Sequence, residues 1–250
     1  MKTIFGLKTA QAADVAGVGY EGFRTWLKRG LLKDTGTLPK FYAPDVSAEI
    51  ADAKRWRWTA FGYSDLCSFR LTKILLDSGL PWEVVSPIVS DNTLWNSHQS
   101  EDGTIQCLVI INQGAEYLLY DRKTLATQLA AGKIGVSIMT IIDLDHLQKD
   151  VVFRSRAAAL RAVSTDLKQT SHISAKNGPN LLPPQEAAER KQAIETLADT
   201  IDALAIEASE GGKVYGKFEA VRHQLQQLGK FAENSAVSAV AGAFALQHDQ

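Results

Sequence analysis

The sequence contains few cysteines and no long apolar runs. These two features argue against a disulfide-rich protein and against a membrane protein. Cys67 and Cys107 are its only cysteines. Each lies in an apolar stretch, which favours buried, reduced thiols over a disulfide framework or a cysteine metal site. No apolar run approaches the roughly 18 residues of a transmembrane helix, and the N-terminus lacks the apolar segment of a signal peptide. We therefore expect a cytoplasmic protein with no membrane partner.

Phosphate-binding motifs and an excess of charge are also missing. There is no GxGxxG or Walker-type run, which argues against nucleotide-driven chemistry and predicts no cofactor. A net charge of -1 excludes wholesale coating of nucleic acid. A DNA reader needs only a local basic surface, so the distribution of charge matters more. Two basic clusters lie early in the chain, at residues 24–33, which contain no acid, and at residues 54–57 (Lys-Arg-Trp-Arg).

The stretch Thr9–Leu32 predicts two short helices that meet at a Gly-Val-Gly turn. Thr9 is a candidate N-cap, and the alanine-rich first helix should end at Gly17. The second helix should span Tyr20–Arg29 and stop at Gly30. Its apolar stripe consists of Phe23, Trp26 and Leu27. This arrangement is typical of a helix-turn-helix that reads DNA.

Further elements are expected before residue 104. A helix can follow Pro44 over Asp45–Lys54, and the alternation of bulky and polar residues at Arg55–Phe61 predicts a short strand or wing. A helix capped by Ser64 should extend to Ser78, and another should span Pro81–Val89. The polar segment Asp91–Gly103 is then a linker.

The periodicity changes from helical to extended after this linker. Ile105–Ile111 and Ala115–Tyr120 predict a hairpin, followed by a helix over Arg122–Ala131. A third strand over Ile134–Leu144 and a helix over Asp145–Val163 complete a small ββαβα unit.

The C-terminal part should contain a loop and two helices. Ser164–Pro184 has the composition of a mobile loop. Two apolar seams at heptad spacing follow, separated by Gly211-Gly212: Ile194, Leu197, Ile201, Leu204 and Ala208, then Phe218, Val221, Leu225 and Leu228. These seams fit either an intrachain hairpin or a partner interface, and the need of a DNA reader to pair favours dimerisation.

Three groups of residues carry a family resemblance. They are the two-helix unit with Gly17-Val18, Phe23-Arg24 and Gly30-Leu31-Leu32; the segment Arg55-Trp56-Arg57-Trp58; and Gly79-Leu80-Pro81-Trp82-Glu83 between the third and fourth helices. In this order they resemble the MerR-like winged helix-turn-helix transcriptional regulators, over about residues 5–90. Thr25-Trp26 replaces the usual aromatic pair, and the stretch after Leu32 is longer than usual. These departures point to a divergent branch, such as a phage-derived one.

The resemblance implies a dimer that places each second helix in a major groove and each wing against flanking phosphates. By position, Arg24 would lie at the phosphate or groove edge, and Arg55 and Arg57 would contact phosphate. The predicted DNA-binding residues lie on the second helix or the wing: Tyr20, Glu21, Arg24, Thr25, Lys28, Arg29, Lys54, Arg55 and Arg57. The prediction is a sequence-specific transcriptional regulator that binds an operator as a dimer, with no catalytic residue and no metal site.

The predicted fold is α+β and mostly helical. Residues 1–90 form the winged helix-turn-helix, residues 104–163 the small α/β domain, and residues 185–250 a C-terminal helical pair that serves as a dimerisation element. No pattern assigns a role or a small-molecule effector to the middle domain.

Each functional interpretation has a plainer alternative. The basic residues Arg24, Lys28 and Arg29 can form a solvated face that the helix dipole favours. Trp56 and Trp58 pack a wing more readily than they stack on bases. Another function class is a structural DNA-binding module, such as a phage packaging, partition or excision factor whose C-terminal helices build an oligomer. A ring or filament would favour this class, and a discrete dimer would favour the regulator.

An enzyme is the third class. Asp143, Asp145 and His146 lie at the end of a predicted strand, where acid–base or metal chemistry is sometimes assembled. No second ligand cluster accompanies them, and Asp145 is equally suited to cap the following helix. We therefore expect these residues to be structural and the protein not to be an enzyme.

Overall fold

A computed structural model of the chain describes residues 7–29, 31, 61–91, 94, 105–111, 116–134, 139–177, 184–212 and 214–227. Over these residues the chain forms eight helices and one three-stranded antiparallel sheet. The predicted mostly helical α+β class is therefore confirmed. Within these ranges no helix has the length and apolar character needed to cross a membrane.

The chain divides into two compact units: the first is Lys8–Val151, and the second contains Leu7 and the residues from Val152 onward. The division into parts at residues 1–90, 104–163 and 185–250 stays a prediction. The predicted helix Asp45–Lys54 lies outside the described residues. So do most of the wing Arg55–Phe61 and most of the linker Asp91–Gly103.

Four helices form the N-terminal part of the first unit: α1 (Thr9–Ala16), α2 (Tyr20–Lys28), α3 (Tyr63–Asp77) and α4 (Trp82–Ser90). The predicted stop of α1 is confirmed, because Gly17 has a φ of 78°, a left-handed conformation that glycine adopts at low cost. Ala12 and Ala16 are fully buried, and their small side chains allow α1 to pack closely against α2 and α3.

Three phenylalanines hold α2 against α3. Phe23 of α2 and Phe69 of α3 are fully buried, with ring centroids 4.6 Å apart and an edge-to-face orientation. Phe61 closes the cluster, with its ring 5.8 Å from Phe23 and 5.2 Å from Phe69. Edge-to-face packing of this kind is favourable because the positive ring edge meets the negative ring face.

Two predicted helix caps are wrong. Thr9 and Ser64 each lie inside the first turn of a helix, and the caps are Lys8 and Gly62. The N–H of Lys8 donates to the side-chain oxygen of Gln11 at 2.9 Å, and the N–H of Gly62 donates to the Asp65 carboxylate at 2.9 Å. In both helices the third residue inside the helix bonds back to the cap residue, so the cap residue itself needs no hydroxyl.

The middle of the chain has the predicted ββαβα order. It consists of β1 (Cys107–Ile111), β2 (Glu116–Tyr120), α5 (Arg122–Ala130), β3 (Met139–Asp143) and α6 (Leu144–Asn177). The strand order is β2-β1-β3, and β1 is antiparallel to both neighbours. All five residues of β1 are buried, which explains its uninterrupted apolar sequence. Cys107, Val109 and Ile111 share one face with Leu125 of α5 packed against them.

Arg70 of α3 joins three elements of the first unit. Its Nε donates to the Asp150 carboxylate of α6 at 2.7 Å, and one terminal nitrogen donates to the Ala16 carbonyl at 3.3 Å. The Ala16 carbonyl lies in the last turn of α1, where helix carbonyls lack partners within the helix. Arg70 thereby ties the end of α1 to α3 and to the start of α6.

The second unit contains α6 from Val152 onward, α7 (Pro184–Ser209) and α8 (Tyr215–Gln227). The predicted loop from Ser164 is wrong as far as Asn177, because α6 continues for 34 residues. Ser164 is fully buried, and its hydroxyl donates to the Ala198 carbonyl of α7 at 3.2 Å. The ammonium group of Lys168 in α6 donates to the Asp202 carboxylate of α7 at 2.7 Å. These contacts between helices stabilise a segment whose composition alone indicates a loop.

The predicted seam of α7 is buried within a single chain. Ile201 is fully buried, and Ile194, Leu197, Leu204 and Ala208 are at most 5% exposed. Phe218 and Val221 of α8 are also buried, and α7 and α8 pack together. The structure thus matches the intrachain hairpin, and a dimer would need another surface of these helices.

Candidate nucleic-acid interface

Helix α2, the predicted recognition helix, has one buried side and one exposed side. Phe23 and Leu27 are buried, as predicted, and Trp26 is half-buried. Among the predicted DNA-binding residues of this helix and its end, Arg24 is half-buried. The exposed ones are Tyr20, Glu21, Thr25, Lys28 and Arg29. The apolar stripe therefore turns the polar residues toward solvent.

Arg24 is held by two neighbours on the same face. Its guanidinium bonds the Glu21 carboxylate at 3.2 Å and lies 5.7 Å from the centroid of the Tyr20 ring. The Glu21 side chain is 78% exposed and that of Arg24 is 40% exposed. An ion pair this exposed contributes little stability, so Arg24 can exchange Glu21 for another anion at low cost.

The last turn of α2 is cationic. Lys28 is exposed, and no described residue pairs with it. Arg29 caps the helix, and its guanidinium carbon lies 5.7 Å from the centroid of the Trp82 ring. A cation at the C-terminus of a helix is favoured by the helix dipole, so the same arrangement also satisfies the plainer interpretation of a solvated face.

Trp82 is a neighbour of this surface that the sequence did not indicate. Trp82 is half-buried at the start of α4 and contacts α2. Its ring lies 6.3 Å from that of Trp26, in addition to the contact with Arg29. The contact joins residues far apart in sequence, so no local pattern reveals it.

Three predicted DNA-binding residues, Lys54, Arg55 and Arg57, lie outside the described residues. So do Trp56 and Trp58 of the predicted wing. The geometry of the candidate interface is therefore that of α2, its end and the start of α4.

No family model matches this chain, and no curated protein or solved structure matches it significantly. The resemblance to the MerR-like regulators stays a prediction that rests on the quoted residues.

The three residues considered for catalysis lie together at a pair of salt bridges and a helix cap. One nitrogen of the Arg122 guanidinium lies 2.8 Å from the Asp143 carboxylate and 2.9 Å from that of Asp145. Asp143 also accepts the N–H of His146 at 3.0 Å, so it is Asp143 and not Asp145 that caps α6. Over the part of the chain that the structure describes, no group of three or more His, Cys, Asp or Glu residues is placed to hold a metal ion.

The hydrogen bonds of Asp143 lower the pKa of its carboxyl group by more than burial raises it. Burial alone would raise the pKa of its carboxyl group, but the His146 N–H and the Arg122 guanidinium bring the pKa below its usual value. Asp143 thus stabilises the fold at pH values above the unfolded pKa of about 3.9. This stabilisation is lost as the pH falls through the lower, folded pKa.

Replacing Asp143 with alanine is expected to lower the free energy of unfolding by about 1 kcal/mol near neutral pH, because α6 loses its N-terminal cap. The matched variant Asp145→Ala keeps the cap and should change stability by less than about 0.5 kcal/mol. Urea unfolding near pH 7 and again well below pH 4 measures both. The cost of Asp143→Ala should vanish in acid, and a cost that persists there would contradict a role for the ionised carboxylate.

The two cysteines are buried, as predicted. Burial raises the pKa of the Cys67 thiol to about 12, and the hydrogen bond with Tyr63 offsets only part of this effect. Burial also raises the pKa of Cys107, and the nearby Asp143 carboxylate adds to this shift. Both thiols are therefore protonated at neutral pH and poorly nucleophilic.

Proposed function

We propose that this chain is a sequence-specific DNA-binding transcriptional regulator that acts as a dimer on an operator. Its N-terminal part would be a winged helix-turn-helix with α2 as the recognition helix. The observation that carries the proposal is the polar side of α2, where Tyr20, Arg24 and Lys28 follow one another at helical spacing beside the buried Phe23 and Leu27.

The dimensions of α2 suit a major groove. An α-helix with its side chains is about 10–12 Å across, and the major groove is about 12 Å wide. The nine residues of α2 would lie in the groove over a length of about 13 Å, at 1.5 Å per residue. Arg24 is suited to a bidentate contact with guanine or to a phosphate contact once it leaves Glu21. Glu21, released from this pair, can accept a hydrogen bond from the amino group of cytosine. Lys28 and Arg29 at the end of the helix are suited to phosphate.

Dimerisation would supply the affinity that one short helix lacks. A nine-residue helix brings only a few side chains to the base edges, and pairing two such helices doubles the contacts and selects a palindromic site. The proposed dimer does not use the α7 seam, which is covered within one chain.

The first experiment is selection of bound fragments from a genomic DNA library by the purified full chain at two salt concentrations, with the mass measured by light scattering. A palindromic site bound by a dimer, with selectivity kept at the higher salt, is the expected result. Binding without a common site that is lost as salt rises would favour a structural DNA-binding module instead. Absence of binding at either salt would overturn both.

Within the selected site, Arg24→Ala is expected to weaken binding by about 1–3 kcal/mol if Arg24 contacts a base. This corresponds to roughly a 5- to 150-fold higher dissociation constant. The control is Lys123→Ala, which removes an exposed cation from α5 and should leave affinity nearly unchanged. Fluorescence anisotropy with the labelled duplex measures both variants. Equal affinities for wild type and Arg24→Ala would remove Arg24 from the interface.

A further inference from the structure

Arg29 and Trp82 meet where α2 ends and α4 begins. The N–H of Arg29 donates to the Thr25 carbonyl at 3.0 Å, so the backbone of Arg29 is fixed by the last turn of α2. Its side chain is exposed to solvent, but its guanidinium lies 5.7 Å from the centre of the Trp82 ring. A guanidinium this close to an indole face is attracted by the ring electrons.

The backbone around Trp82 is equally well defined. Gly79 has a φ of 89°, which allows the tight turn between α3 and α4. Leu80 is buried, and its N–H donates to the Leu75 carbonyl at 3.2 Å. Pro81 then caps α4, and its carbonyl accepts the N–H of Val85 at 3.1 Å. Trp82 is therefore the first residue of a helix whose start is set by the preceding turn.

The Trp82 ring is also supported from α2. Its centroid lies 6.3 Å from that of Trp26, with the two ring planes inclined at 42°. Trp26 in turn lies 6.4 Å from the fully buried Phe23. The rings form a continuous series from the core of the helix pair to the exposed guanidinium of Arg29.

We infer that Trp82 is a positioning residue that orients Arg29 toward a DNA phosphate beside the groove entered by α2, an inference that rests on the proposed function. A guanidinium attracted to an aromatic ring in this way forms no hydrogen bond with the ring, so its N–H donors stay available to bond two phosphate oxygens. The contact also restricts a long side chain before binding, so less freedom is lost when the phosphate contact forms. Helix α4 thus contributes to DNA binding through the side chain of Arg29.

The test measures the affinity of the full chain for the selected duplex between about 50 and 200 mM salt. Arg29→Ala should reduce the magnitude of the salt slope by about 1, as expected for the loss of one phosphate contact. Trp82→Leu should weaken binding by roughly 3- to 10-fold, since Arg29 loses its orientation but not its charge. The double variant should bind no more weakly than Arg29→Ala alone. Lys123→Ala again controls for general loss of charge.

A readout without DNA accompanies these measurements. In the wild type, the ring current of Trp82 should shift the side-chain proton resonances of Arg29, and Trp82→Leu should return them to ordinary values. Urea unfolding of each variant separates misfolding from loss of orientation. Should Trp82→Leu fail to fold, Arg29→Lys decides instead. It keeps the charge, lacks the planar fork, and should weaken binding by a similar factor.

The results separate the two proposals. If wild type binds the duplex but folded Trp82→Leu does so with unchanged affinity, the positioning role of Trp82 is wrong and the proposed function stands. The same holds if the effects of Trp82→Leu and Arg29→Ala multiply, or if Arg29→Lys binds like wild type. If wild type does not bind DNA, the proposed function fails and the positioning role fails with it, whatever the resonances of Arg29 show.

Discussion

Replacing Phe23 with alanine is expected to lower the free energy of unfolding by about 3–5 kcal/mol, the cost of removing a large aromatic side chain from a packed core. Phe23 is fully buried and contacts the rings of Phe61 and Phe69 edge to face. Its removal leaves a cavity between α2 and α3 that neighbouring aromatic rings cannot readily fill, because their own backbones are fixed. Urea unfolding followed by circular dichroism measures the loss.

The matched control is Tyr20→Ala on the same helix. Tyr20 is 47% exposed, so its truncation should cost no more than about 0.5–1 kcal/mol. Phe23→Leu keeps much of the volume and should be the milder of the two substitutions at residue 23. If Phe23→Ala were no more destabilising than Tyr20→Ala, the aromatic cluster would not be what holds α2 in place. Because Phe23→Leu should stay folded, its affinity for DNA measures how the packing of α2 affects the interface.

Replacing Ile201 with alanine should destabilise the second unit by about 2–5 kcal/mol. Ile201 lies in the seam of α7 and is fully buried, whereas Ile206 on the same helix is 62% exposed. Ile206→Ala removes the same atoms from the same helix. The higher helix propensity of alanine therefore stabilises both variants by the same small amount. Ile206→Ala should change stability by no more than about 0.5 kcal/mol.

The comparison of these two isoleucines tests the intrachain seam directly. A large difference between the variants, independent of protein concentration, is expected if the seam is covered within one chain. A loss for Ile201→Ala that depended on protein concentration would show instead that a second copy covers the seam, because oligomer stability follows mass action. The unfolding midpoints at two protein concentrations distinguish these results.

Local periodicity was enough to predict most elements. The spacing of Phe23 and Leu27 predicted the buried side of α2, and the apolar run of β1 predicted a strand. The heptad spacing of α7 predicted its buried seam. These predictions succeeded because buried residues recur every three or four positions in a helix, and a buried strand is a short apolar run. Both patterns can be recognised within a short stretch of sequence.

Side-chain contacts that the composition of a segment does not reveal account for the errors. Ser164 has the composition of a loop, but its hydroxyl bonds the Ala198 carbonyl inside a helix. The caps were misplaced because the N–H groups of the cap residues, Lys8 and Gly62, bond side chains three residues later in the chain. These partners are Gln11 and Asp65. In the candidate interface, the exposed face of α2 follows from the same periodicity as its core. The contact of Arg29 with Trp82 depends on the turn before α4 and on the packing of α2.

The strand order has a consequence for how the chain folds. Because β1 lies between β2 and β3, and α5 separates β3 from β2 in sequence, β1 can pair with β2 early, through a short hairpin. The other edge of β1 can pair only after α5 and β3 have been synthesised. During that interval an apolar strand presents unpaired backbone groups, the feature that promotes association between chains. Expression at lower temperature or with chaperones should therefore raise the soluble yield.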